Sequence, residues 1–175
     1  MEVILVADSH LISSFRIGPA RPDELDTICE IAKIAWEPIH ETMIDALGED
    51  VHQAVSGDDW RDRKADQIRC QFTDQPDWIL AIREGSKVVG FVTFVFDRSI
   101  SVGTIRNNAV HPDYQGKGIA TEMYSHVLGL FKKAGMSFAR VGTGGDLGHA
   151  PARRAYEKAG FDLRREDVVY YKVLE

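Results

Sequence analysis

At 175 residues and 19.6 kDa the chain has the length of one domain, enough to bury roughly 70% of the surface its unfolded form exposes. Its 44% hydrophobic and 27% charged residues exclude a disordered, fibrous or coiled-coil protein. The 21 Lys and Arg against 27 Asp and Glu leave a formal charge of −6, a mean field that repels nucleic acid. Two cysteines, Cys29 and Cys70, have no His or Cys at metal spacing, which argues against a disulfide framework or a metal site and for a reducing cytoplasm. No run approaches the ~20 apolar residues of a membrane helix. The opening MEVILVADSH carries Glu2 and lacks the basic segment and cleavage pattern of a secretory signal.

Residues 1–13 read as an extension of unknown role and 14–175 as a single domain. Phe15 to Ile17 alternate like a short strand, and Pro22 and Asp23 then supply helix start signals. Leu25, Ile28, Ala32, Ala35 and Trp36 recur at helical spacing. A second helix is predicted from Ile39 to Leu47, ended by Gly48, and a third from Asp59 to Phe72. Trp78 to Arg83 and Lys87 to Phe96 are β-branched and aromatic runs joined by Glu84, Gly85 and Ser86, the pattern of an antiparallel hairpin. Thr104 to Val110 adds a strand. From Gly118 the period becomes helical, through Ala120, Met123, Val127, Leu130, Phe131 and Ala134, until Gly135 stops it. Phe138 to Val141 returns to strand, and Ala152 to Ala159 forms a helix between Pro151 and Gly160. The tail holds two strand candidates, Phe161 to Arg165 and Val168 to Leu174. With neither linker nor repeat, the order describes one mixed α/β domain. The helices between Pro22 and Phe72 are candidates for an acceptor wall.

The segment that carries chemistry is Ala109 to Thr121, AVHPDYQGKGIAT, in which an apolar strand enters a glycine-containing turn and then an amphipathic helix. Gly116 and Gly118 allow close approach of the main chain, and the first N–H groups of the helix lack intrahelical acceptors. A phosphate is the natural guest of such a turn. Read alone, the pattern is equally a way to turn a corner. It is neither a P-loop nor GxGxxG, which disfavours a nucleoside triphosphate.

On these residues the sequence resembles the GNAT acetyltransferase superfamily. Gln115, Gly118 and Ala120 match its acetyl-CoA signature, AVHP at Ala109 to Pro112 its strand end, and ARRAYEKAGF at Ala152 to Phe161 its second motif, with Tyr156 on a helix ending in Gly-Phe. The resemblance implies a twisted, mostly antiparallel sheet with flanking helices, whose fourth and fifth strands, here Thr104 to Val110 and Phe138 to Val141, splay around the pantetheine arm. Acetyl-CoA would be the co-substrate, with no metal. Ala109, Val110, Gln115, Gly116, Lys117, Gly118, Ile119, Ala120, Thr121 and His149 are the candidate residues for holding it. The resemblance makes the Val110 N–H the group that polarises the thioester carbonyl, and Tyr156 the catalytic acid toward the departing thiolate. A model phenol at about 10 is a weaker acid than a model thiol at about 8.5, so a hydrogen bond that strengthens as sulfur leaves fits better than full transfer. Packing beside Phe161 is the plain alternative for Tyr156.

The base is less legible. A lysine-like amine is neutral at pH 7 only about one part in 2,500, so a strongly basic acceptor needs a proton sink. Many members of the family place a Glu on the fourth strand, where this chain has Arg106, Asn107 and Asn108. Substitutes are Asp146 and His149 in TGGDLGHA, and Glu37, His40 and Glu41 in the helical segment; for His149 a helix-entry or cofactor hydrogen bond is the plainer reading. Trp36 and Trp60 read as core or pocket walls.

The expected function is acetyl transfer from acetyl-CoA directly to a primary amine of a small molecule or peptide. The charge of −6 would steer cationic amines of aminoglycoside or polyamine type. The alternatives are an acyl-CoA-binding regulatory module with little or no transfer, and transfer of another acyl group or to a hydroxyl. A homodimer is left open.

Overall fold

Alternating apolar residues along the chain pair into one twisted sheet. The computed structural model describes residues 10–12, 14–57 and 59–174, so most of the expected N-terminal extension lies outside the described residues. Six strands hydrogen-bond in chain order: β1 (His10–Ile12), β2 (Phe15–Pro19), β3 (Ile79–Glu84), β4 (Lys87–Asp97), β5 (Val102–Val110) and β6 (Phe138–Val141). Neighbours are antiparallel except β5 and β6, which run parallel from Val102↔Phe138 to Ile105↔Val141. This is the mixed α/β, mostly antiparallel architecture expected from the sequence, with β1 as an unanticipated strand.

Residues on opposite faces of the pleat feed two cores. Leu80, Ile82, Val92, Phe94 and Ile105 pack against α4 (Ile119–Lys133) through Met123, Val127 and Phe131, and against α5 (Ala150–Lys158) through Tyr156. On the other face Ile79, Ala81, Phe91 and Ala109 meet Ile28, Cys29, Ile31 and Ala32 of α1 (Leu25–Leu47) and Ala65 and Ile68 of α3 (Trp60–Asp74). A register shift between Val92 and Phe94 sets Arg106 and Asn107 together opposite Thr93, whose hydroxyl accepts from the Asn107 N–H at 3.0 Å. Two residues of β5 thus oppose one of β4 at the bulge, and from Asn107 onward the side chains of β5 alternate between the faces of the sheet.

Three expectations are corrected. The two helices read on either side of Pro38 are one helix, α1, of 23 residues. Proline removes one main-chain donor and crowds the preceding turn, but α1 is held on both sides of that point: Ile28 to Ala32 are in the core, and a following turn packs on α2 (Glu49–Ser56). Helix α2 itself was not anticipated, because its buried residue is His52 and no apolar stripe marks it. The two tail strands do not form; 161–174 is irregular, and Leu163, Val168, Tyr170 and Leu174 are exposed. Alternation records β-propensity, but a strand also needs a ladder partner, and this segment has none among the described residues.

One buried ion pair fastens the entry of α1 to the sheet. Arg83 of β3 donates through Nε and Nη2 to the two carboxylate oxygens of Glu24 at 2.6 and 2.5 Å, and also to the Pro19 carbonyl at 2.7 Å. Glu24 is 4% and Arg83 8% exposed. Burial by itself would raise the Glu24 carboxyl, but hydrogen bonds from Arg83 and from the Arg21 N–H, with the charges of both arginines, hold it below its ordinary value of 4.5. The stability this pair contributes is therefore complete above the unfolded carboxylate range and is lost as pH falls through the depressed native value. Glu24→Gln is expected to cost about 3 kcal/mol, near 10 °C in Tm by thermal denaturation. A loss within about 0.5 kcal/mol would show that the pair does not anchor α1.

Candidate active site

The site arises where two paired strands part. Strand β6 ends at Val141, level with Ile105, while β5 continues to Val110. The His111 N–H donates to the Val89 carbonyl of β4 at 2.8 Å, and Gly90 lies opposite Val110. Successive N–H groups of a strand point to opposite edges, so those of Val110 and Asn108 face away from β4, into the gap that β6 leaves. The Val110 carbonyl on that edge is occupied by Gln115, whose Nε2 donates to it at 3.0 Å. Its N–H stays available.

Beyond the strand, Gly116 and Gly118 adopt φ of +76° and +82°, conformations that other residues reach only with strain, and a Cβ at either would meet open space. The first helical hydrogen bond of α4 runs from the Glu122 N–H to the Gly118 carbonyl at 3.2 Å. The N–H groups of the preceding turn have no helical acceptor among the described residues. Gln115, Gly116, Gly118, Ile119, Ala120 and Thr121 all line a cavity of about 600 Å³ that also reaches Ala109, Val110, His149 and Tyr156. Of the expected cofactor residues Lys117 alone is not on this wall; its ammonium lies 4.6 Å from the ring centre of Tyr114. Ile119 also serves the core, at 2% exposure.

Tyr156 both packs and faces the cavity. Its ring lies 4.6 Å from that of Tyr124 and 5.9 Å from that of Phe161, so the packing alternative and a place at the site coexist. Asn108 joins the two phenols: its Oδ1 accepts from the Tyr124 hydroxyl at 2.6 Å, and its Nδ2 donates to the Tyr156 hydroxyl oxygen at 3.2 Å. The Tyr156 hydroxyl also reaches that Oδ1, at 3.4 Å, a longer contact than the one Tyr124 makes. Burial pushes both phenols up, Tyr124 well above its ordinary value, and hydrogen bonds from Asn108 and Tyr124 offset only part of the effect on Tyr156. Both tyrosines are thus neutral hydroxyls at physiological pH. The sequence singled out neither Tyr124 nor the Asn108 amide; a tyrosine at a core position of α4 looks like any other core aromatic.

Of the substitute bases, only His149 lines the cavity. Its Nδ1 meets Asp146 Oδ2 at 2.6 Å, and its main-chain N–H donates to Asp146 Oδ1 at 3.1 Å. His149 stands at the N-cap of α5, where its carbonyl accepts the Arg153 N–H at 3.0 Å, but its side chain makes no capping bond. Burial would raise the Asp146 carboxyl, but the His149 hydrogen bonds bring it below its ordinary value. An ionised carboxylate only accepts, so Nδ1 carries the proton of this hydrogen bond, which fixes the orientation of the ring. Arg153 fixes this loop by donating to the Gly144 and Asp146 carbonyls at 2.7 and 2.6 Å. Glu37, His40 and Glu41 are absent from the lining. Glu37 pairs with Arg61, and His40 stacks on Trp60 with Nδ1 2.9 Å from His52 Nε2. Burial, then the His52 charge, push His40 down to about 4. Of the helices expected as candidates for an acceptor wall, α1 contributes Ala35, Trp36, Pro38 and Ile39 to the cavity lining and α3 contributes Lys64. Among the described residues no group of three His, Cys, Asp or Glu is placed to hold a metal ion, and no helix is long and apolar enough to cross a membrane.

Comparison with known proteins agrees with this geometry. Solved structures of similar fold include a PaiA N-acetyltransferase of Thermoplasma acidophilum in complex with coenzyme A (17% identity, TM-score 0.66, covering 87% of this chain and 92% of that one). They also include a ribosomal-protein alanine N-acetyltransferase of Escherichia coli (16%, 0.58, 86% and 79%) and an aminoglycoside 6'-N-acetyltransferase of Acinetobacter haemolyticus (14%, 0.59, 91% and 99%). No curated protein matches the sequence. The model of the acetyltransferase (GNAT) family matches residues 34–161, which take in the acceptor wall, the parted strands, the glycine turn and the tyrosine helix, and the chain belongs to that family.

Proposed function

We propose that the protein is an N-acetyltransferase that passes the acetyl group of acetyl-CoA directly to a primary amine. The observation that carries this reading is the convergence on one cavity of the Val110 N–H, the open first turn of α4 and the Tyr156 hydroxyl. Acetyl-CoA supplies the acyl group and a thiolate leaving group. The first turn of α4 and the glycine turn hold its diphosphate, through unpaired N–H groups and the positive end of the helix dipole, a contribution of about 0.3–2 kcal/mol beyond the hydrogen bonds themselves. The Val110 N–H donates to the thioester oxygen as negative charge develops there, in a position fixed before reaction because β4 and Gln115 hold the strand on both sides.

The amine nitrogen attacks the carbonyl carbon, a C–N bond forms and the C–S bond breaks. His149 Nε2 takes the proton that the amine loses, with Asp146 holding the imidazole tautomer, and the Tyr156 hydroxyl hydrogen-bonds or protonates the departing sulfur. Both cysteines lie off the cavity wall, so no acyl-enzyme is needed. The missing strand carboxylate favours a second reading, an acyl-CoA-binding module without transfer; here Asn108 replaces catalytic capacity with a neutral bridge between two phenols.

Thiol release from acetyl-CoA across a panel of primary amines, with a product one acetyl group heavier, distinguishes the two. In that assay Tyr156→Phe is expected to lower kcat by about 10²-fold while the calorimetric Kd for CoA moves by less than about threefold. Unchanged turnover would remove Tyr156 from the chemistry, and saturable CoA binding without release for any amine would favour the binding module. Since burial holds both phenols neutral, Tyr124→Phe and Tyr156→Phe are each expected to remove only the late part of the alkaline phenolate absorbance titration. Loss from its early part would mean that these hydroxyls face water.

A further inference from the structure

The cavity wall carries charges of one sign. Lys64, Arg106, Arg154 and Lys158 line it, and among the described residues no Asp or Glu does. Two of these cations sit away from the diphosphate turn. Asn107, to which Lys64 is bonded, precedes Val110 by three residues of extended strand, about 10 Å. The thioester site therefore lies between the glycine turn and the Lys64 end, which places Lys64 and Arg106 on the acceptor side.

Lys64 is held there without a counter-ion. Its ammonium lies 4.7 Å from the ring centre of Trp36, donates to Asn107 Oδ1 at 3.2 Å and to Gln67 Oε1 at 3.4 Å, and forms no ion pair with any described carboxylate. Arg106 follows on the same bulge, and its guanidinium has no hydrogen-bond or ion-pair partner among the described residues. Of the nearby acids, Glu37 is engaged by Arg61 and Asp62 by Lys33 at 3.5 Å, while Asp74 stands with Arg106 on the wall of an adjoining pocket and not on this cavity. Burial disfavours the charged form of Lys64 and pushes its pKa down. An anion arriving from solution would reverse that cost.

We propose that Lys64 and Arg106 form an anion subsite beside the thioester, and that the acceptor is a primary amine bearing a carboxylate. This rests on the transferase reading and narrows its acceptor. The ammonium on the Trp36 face supplies a point charge and the Arg106 guanidinium a planar fork, the pair of donors that suits a carboxylate. Attraction at this wall opposes the steering that the net charge of −6 suggests: a polyamine or aminoglycoside would bring its surplus cations against Lys64 and Arg106, whereas an amino acid would place its carboxylate on them and its amine toward the acetyl group.

The test compares α-amino acids with their C-terminal amides, and with spermidine, as acceptors in thiol release at saturating acetyl-CoA. The wild-type protein is expected to favour acids over the matching amides by about tenfold or more in kcat/KM. Lys64→Gln is expected to bring that ratio toward one, chiefly through KM for the acid, and Lys64→Arg, which keeps the charge, to restore most of it. The CoA-saturated protein titrated calorimetrically with the same acids and amides gives the preference at equilibrium, without turnover. Absence of thiol release with every acceptor would contradict the transferase reading, and the calorimetric preference would then decide the subsite by itself. A ratio near one in both measurements, a preference for spermidine, or equal loss of acids and amides in Lys64→Gln would overturn the proposal.

Discussion

Past Ile105 the outer edge of β5 loses its neighbour, since β6 stops at Val141 and the chain turns away through Gly142 and Thr143, leaving main-chain donors of a central strand facing a cavity instead of another strand. Buried N–H groups without partners are costly, so such an edge is stable only where water or a ligand completes it. The other parts of the site answer to this opening. Gln115 closes the carbonyl side of the edge, α4 begins directly beyond it, and the Arg153-tied loop brings His149 and α5 to its far side.

Just beyond the bulge opposite Thr93, the pleat of β5 sends neighbouring side chains to opposite faces of the sheet. Asn107 turns toward α3, where it meets Lys64, and Asn108 turns toward α4 and α5, where it joins Tyr124 and Tyr156. Adjacent residues of one strand thereby meet different walls of the cavity. An amide at 108 can donate to one phenol and accept from the other, whereas an ionised acid could only accept.

Local signals made much of this legible. The hairpin of β3 and β4 and the strand-turn-helix of β5 and α4 could be read from β-branched runs, glycines and a change of period, and in the structure Gln115, Gly116, Gly118 and Tyr156 line one cavity. What escaped depends on contacts distant in sequence. Pro38 marks a break by local rules, and only packing along α1 carries the helix through it. Lys64 and Asn107 are 43 residues apart, and an isolated lysine on a polar helix gives no sign that it will lie half-buried over Trp36. The tail alternates like a strand but has no ladder to join. Net charge, a property of the whole surface, pointed to cationic acceptors, while the cavity presents the opposite field.

Amide chemical-shift mapping of the nitrogen-15-labelled protein during a coenzyme A titration tests most directly whether the open strand edge and the glycine turn are the ligand site. The account predicts that the largest shifts cluster at Val110 and at Gly116 to Thr121, saturating together. Saturable binding that leaves those amides unmoved, with shifts concentrated elsewhere on the molecule, would contradict it.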